Sequence, residues 1–150
     1  MDVNNDQKLR LMDHLRKYFG GNLSGKKIAV WGLAFKPYTD DIREAPSLVN
    51  IRALLNEGVK VRAYDPEAIE NVRGVIGDVI EYADSEYDAL DGADALMIFT
   101  EWPVFRTPDF EQIEARLKNK AIFDGRNLYE PKVMEKLGFT YISIGRRAVK

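Results

Sequence analysis

Apolar positions along the chain recur with two periods. Near the N-terminus Leu11, Leu15 and Tyr18 stand at i, i+4 and i+7, with Met12 and Phe19 widening the stripe. That spacing predicts an amphipathic helix from about Val3 to Phe19, which Gly20-Gly21 stops. From Lys27 onward, short apolar runs of strand type are each followed by a polar turn and a segment of helical period. Strands are predicted at Lys27–Trp31, Val59–Tyr64, Ala93–Phe99, Lys120–Phe123 and Tyr141–Ile144, with a weaker one near Val79–Tyr82. Pro46 suits a first helical position, Leu48, Ile51 and Leu55 follow as a stripe, and Gly58 sits where a C′ glycine belongs. Thr107 is read as a cap with Pro108 at N1 and Phe110, Ile113 and Leu117 facing inward, and Pro131 opens a helix that Gly138 closes. Strand and helix in alternation imply an α/β fold, a doubly wound, mainly parallel sheet of five or six strands preceded by an N-terminal helix. Gly20 to Gly25 reads as a hinge between that helix and the sheet.

Composition narrows the partners. A chain of 150 residues with 45% hydrophobic content has the means to build one core. The longest apolar runs are of strand length, far short of the ~20 residues of a bilayer span, and the polar start MDVNNDQKLR lacks a secretory core, so a cytoplasmic location without membrane contact is expected. A net charge of −2 with both signs interspersed argues against a nucleic-acid partner. The absence of cysteine excludes thiolate chemistry, and the lone His14, on a polar helix face, reads as a surface residue rather than a metal ligand.

In a doubly wound sheet ligands gather beyond the carboxyl ends of the strands, where strand order reverses. The connection after the first predicted strand is unusual. Trp31 is followed by GLAFKPYTDDIREAPS (32–47), in which only Gly32 fits the G-x-G-x-x-G turn of a dinucleotide site, and no helix can start before about Pro46. Phe35 offers an aromatic face beside the Lys36 ammonium, which suits a base or ribose together with a phosphate. Asp40, Asp41, Arg43 and Glu44 could contact a ligand, but a self-satisfied network that shapes the loop is the favoured reading for the two aspartates.

This run, with YDPEA (64–68), TEWPVF (100–105) and FDGRNLY (123–129), resembles the C-terminal domain of the UDP-glucose/GDP-mannose dehydrogenase family. VNNDQK (3–8) looks like the end of the helix that joins the two Rossmann-like domains in that family. The resemblance implies two parts, 1–21 as the end of the connecting helix and 22–150 as a Rossmann-like UDP-sugar-binding domain. It implies that Phe35 and Lys36 contact the nucleotide sugar, that Arg126 is a second substrate contact, and that Arg43 reaches NAD held by another domain. Asp65 and Trp102 are read as turn chemistry and packing, and the competing role for Arg126 is a salt bridge to Asp124 or Glu130. The Ala34–Pro37 and Thr39–Asp41 forms look closer to the UDP-glucose branch than to the mannose branches; N-acetylhexosamine and GDP-mannose oxidation are the alternatives. Such enzymes oxidise a sugar alcohol twice through a cysteine adduct with NAD as acceptor. This sequence, with no cysteine and no dinucleotide turn, is expected to bind the nucleotide sugar but neither to catalyse nor to hold NAD alone. Its partners would be the NAD-binding and central domains of a parent enzyme, or a separately encoded half. The first helix either folds back on the sheet or pairs two copies, so some homodimer is expected.

Overall fold

The computed structural model describes residues 8–144. Helix α1 spans Arg10–Tyr18, so the predicted stretch from Val3 to Gln7 lies outside the described residues. After Gly20 and Gly21, both at positive φ, come β1 (Lys27–Trp31), α2 (Pro46–Asn56), β2 (Lys60–Tyr64), α3 (Ile69–Ile76) and β3 (Glu81–Tyr82). A 3-10 turn at Asp88–Leu90 leads to β4 (Ala95–Ile98), α4 (Pro103–Arg106), α5 (Phe110–Arg116), β5 (Ala121–Asp124), α6 (Pro131–Lys136) and β6 (Thr140–Ser143). The six strands form one sheet in the order β3-β2-β1-β4-β5-β6, parallel at every pairing.

Strand alternation sorts the core onto two faces. Ile28 and Val30 of β1, Met97 of β4 and Phe123 of β5 point to a face covered by α1, α2 and α3. Ala29 and Trp31, Leu96 and Ile98, and Ile122 point to the opposite face, where Phe105, Ile113 and Met134 meet them from α4, α5 and α6. Because α2 and α3 connect the β1–β3 half, the β4–β6 half of their face would be bare without another cover. That cover is α1, whose Leu11, Met12 and Leu15 are buried in the same cluster as Phe99, Phe123 and Ile142. Burying three such side chains stabilises the docked helix by roughly 1.5–3 kcal/mol each as an upper bound. The helix therefore folds back, and of the apolar stripe on which the homodimer expectation rested Leu11 and Leu15 are buried, Phe19 is partly covered and Tyr18 stays exposed. His14 is exposed.

Several predicted boundaries shift. Helix α5 is capped not by Thr107 but by Asp109, whose carboxylate accepts from the N–H groups of Glu111 (3.0 Å) and Gln112 (3.4 Å); the helix starts at Phe110, which puts Thr107 two residues too early to reach those orphan donors. On α2 the fully buried leucine is Leu54, with Leu55 only partly covered. Helix α3 was not foreseen: Ile69, Val72 and Ile76 stand at i, i+3 and i+7, but the span is only eight residues long and Gly74 interrupts it, so Val72 is fully buried and the two isoleucines only partly. Among the described residues no helix is long and apolar enough to cross a membrane.

Candidate functional site at the carboxyl edge of the sheet

The ends of β1, β4 and β5 are neighbours at the point where strand order reverses. The long connection after β1 begins at Gly32, whose φ of +94° and packing leave no room for a side chain: a Cβ there would stand 2.5 Å from the Thr100 side chain. The following backbone is held by side chains from three other segments. Asp65, buried just past β2, accepts through Oδ2 from the N–H groups of Leu33 (2.7 Å) and Ala34 (3.0 Å). Its Oδ1 accepts from Glu67 (2.8 Å) and Ala68 (2.9 Å), and the Trp102 indole N–H points at Oδ2 from 3.3 Å. The hydroxyls of Ser47 and Thr100 donate to the carbonyls of Leu33 and Ala34, each at 2.7 Å. Asp65 and Trp102 thus act as the turn and packing residues foreseen.

Beyond Ala34 the loop turns outward. Phe35 is half exposed, Lys36 is exposed, and Tyr38 is 78% exposed in a left-handed conformation (φ 64°) with its ring edge-on to Trp102 at 5.2 Å between centroids. A bulky residue at positive φ costs roughly 1–2 kcal/mol, and Glu44 (φ 55°) adds a second such position. Asp41 is engaged within the loop: it accepts from the Arg43 backbone N–H at 3.0 Å and from the guanidinium at 2.9 and 3.1 Å. The hydrogen bond from the Arg43 side chain, then that from its backbone, pulls the Asp41 carboxyl down to about 2. Asn71 donates to the Asp40 carbonyl at 2.8 Å.

On β5 a second buried aspartate repeats the device. Asp124 accepts from the N–H groups of Arg126 (2.8 Å) and Leu128 (2.7 Å) and from the Tyr141 hydroxyl (2.7 Å), which shapes the turn carrying Gly125, Arg126 and Asn127, the last at φ 58°. With both oxygens so used, Asp124 is not the ion-pair partner of Arg126, and neither is Glu130. That partner is Glu101 on the β4 loop, whose Oε2 accepts from Arg126 Nε at 3.2 Å and more closely from Nη2. Burial alone would raise the Glu101 carboxyl, but the hydrogen bond from Arg126 holds it below the usual range.

Arg126 and Gly125 line a cleft of about 260 Å³ with Leu11, Pro46, Phe99 and Ile144, and Lys8 supplies its second cation. Phe35 and Lys36 stand on the same edge but do not line this cleft, and Arg43 stays exposed on Asp41. Lys8, Glu101 and Tyr38 escaped the sequence reading. Lys8 reaches the cleft only because α1 folds back, and Glu101 and Arg126 are 25 positions apart, so no periodicity joins them. Only the tertiary fold brings them together. Among the described residues no group of three or more His, Asp or Glu could hold a metal ion. Two cations over an apolar floor suit an anionic ligand, and the exposed rings of Phe35 and Tyr38 stand outside the cleft on the same edge of the sheet.

Residues 29–131 match the family model described as the UDP-glucose/GDP-mannose dehydrogenase family, UDP binding domain. The chain belongs to this family. A UDP-glucose 6-dehydrogenase of Pseudomonas aeruginosa is 49% identical over 145 residues, which cover 93% of this chain and 32% of that protein. The chain thus spans about a third of the length of the curated family members it matches. Among solved structures, a UDP-glucose dehydrogenase of Pyrobaculum islandicum matches at 34% identity and TM-score 0.74, covering 84% of this chain and 27% of that one. An NDP-N-acetyl-D-galactosaminuronic acid dehydrogenase of Methanosarcina mazei matches at 28% identity and TM-score 0.79, covering 95% and 29%. Family members thus share the doubly wound sheet found here.

Proposed function

We propose that this chain grips the uridine and diphosphate of a UDP-sugar, UDP-glucose or its product UDP-glucuronate, as the nucleotide-sugar half of a UDP-glucose 6-dehydrogenase. The observation that carries the reading is the edge itself: Arg126 is fixed by Asp124 beside an apolar-floored cleft, while Phe35, Lys36 and Tyr38 are held outward on a loop tied down by Asp65. Residues 22–150 would be the binding domain and 1–21 the end of a connecting helix.

NAD belongs elsewhere in this reading. The N–H groups of Leu33 and Ala34, which a pyrophosphate would need, are already committed to Asp65, so the turn does not fit a dinucleotide. NAD and the cysteine of the two-step oxidation would come from the NAD-binding and central domains of a longer protein, with Arg43 meeting NAD across the seam once released from Asp41. A homodimer of that protein would have to use surface other than the stripe α1 has buried. Alone, the chain binds without turnover. The likeness to the Methanosarcina mazei protein keeps an N-acetylhexosamine substrate as the second reading.

Calorimetric titration with UDP and UDP-glucuronate should give a Kd between about 1 μM and 1 mM, weak because half the walls of an interdomain cleft are missing. Replacing Lys36 and Arg126 together by alanine should weaken UDP at least roughly tenfold, as expected for two charge-assisted contacts. No heat at millimolar UDP would remove the nucleotide reading, and tighter binding of UDP-N-acetylglucosamine than of UDP-glucose would favour the second one.

A further inference from the structure

Taking Arg126 as a nucleotide contact, as proposed above, we infer that Glu101 is a positioning residue that occupies the phosphate-binding edge of Arg126 and must yield when a diphosphate arrives. Arg126 presents its Nε and Nη2 donors as a fork, the edge with which a guanidinium binds phosphate oxygens in pairs, and both donors are taken by Glu101 Oε2. The other oxygen, Oε1, is buried and has no hydrogen-bond partner among the described residues. A bidentate brace places one oxygen on each donor and satisfies both oxygens. Here both fall on one oxygen, so the carboxylate is half satisfied and easily outcompeted by a group offering two oxygens.

The two partners also differ in freedom. Glu101 sits between Thr100, whose hydroxyl is tied to the Ala34 carbonyl, and Trp102, which is buried against Asp65, so its backbone cannot follow the arginine. Arg126 has a side chain 39% exposed against 20% for Glu101, on a turn that borders the cleft. With Glu101 in place the pair is neutral and Lys8 is the remaining cation lining the cleft; without that carboxylate a diphosphate would meet two. Glu101 therefore lowers affinity for anions in the empty site and keeps the guanidinium docked until a ligand carries enough charge to take it.

The test compares wild type with Glu101→Gln, which keeps the shape and removes the charge, and Glu101→Asp, which keeps the charge. UDP, uridine and inorganic pyrophosphate are titrated into each. Glu101→Gln should bind UDP and pyrophosphate roughly three- to tenfold more tightly, with uridine unchanged, while Glu101→Asp stays within about twofold of wild type. A bracing role would instead weaken UDP in Glu101→Gln, and that result, or equal UDP affinity in the two proteins, overturns the inference while leaving the nucleotide reading intact. If wild type does not bind UDP, the nucleotide reading fails on its own. Pyrophosphate then decides: tighter binding by Glu101→Gln sustains the role of Glu101, and no difference ends it. Should Glu101→Gln fail to fold, Glu101→Ala takes its place in the same comparison.

Discussion

Asp65 gathers four backbone N–H groups and approaches an indole N–H, so neither of its oxygens has room for a donor of its own. Asparagine at this position is isosteric, yet whichever way its amide turns, the NH2 faces converging donors. Asp65→Asn should therefore cost about 3 kcal/mol, the order expected when buried donors lose a charged acceptor. Urea denaturation checks this, and a loss under about 1 kcal/mol would mean that the loop after β1 is held by Ser47 and Thr100 instead. At this scale the sequence was legible where chemistry is written in the residue type. An aspartate beside a proline reads as a turn, as Asp65 proves to be, while a charged residue in a motif, such as Lys36 or Arg126, marks a candidate contact. Glu101 and Lys8 do not announce themselves, because the ion pair of one and the cleft position of the other depend on the neighbours the fold supplies.

Elements were legible in proportion to how strongly one face is buried. Strand β1 appears where it was predicted, since four of its five positions are buried and its two faces feed different clusters. Helix α3 carries the stripe Ile69, Val72 and Ile76, but with only Val72 fully buried and Gly74 inside eight residues it gave a weak signal. Helix α1 was legible as a helix, but not its destination, because the same stripe serves a dimer or a sheet face equally well. Docking of α1 has a measurable consequence. Leu15 is fully buried against the sheet, so Leu15→Ala should lower stability by about 2–5 kcal/mol through lost transfer energy and the cavity left behind. A fall of less than about 0.5 kcal/mol in a urea titration would indicate that α1 is not docked in solution.

Over the whole molecule, the sequence conveyed the class of sheet but not its order, since strand adjacency depends on which crossovers pack and not on local period. That order places β1 and β4 at the centre, and both their faces are covered. The consequence is cooperativity. Each central strand contributes alternate side chains to both clusters, Val30 and Met97 to one, Trp31 and Ile98 to the other, so neither cluster can melt without exposing the second. Both tryptophans, Trp31 and Trp102, belong to the cluster facing α5 and α6, whereas α1, α2 and α3 lie across the sheet from them. Tryptophan fluorescence therefore reports one face, and the helical far-UV signal reports both. Thermal unfolding followed by the two probes should give one midpoint, as a two-state domain requires. If the chain binds UDP as proposed, nucleotide at about 100 times its Kd should raise that single midpoint for both probes together, by the equivalent of about 2.7 kcal/mol. Midpoints that separate, with the far-UV signal lost first, would show that the α1–α3 face unfolds on its own. The cleft floored by Leu11 and Pro46 would then be a local structure and not one held in place by the sheet as a whole.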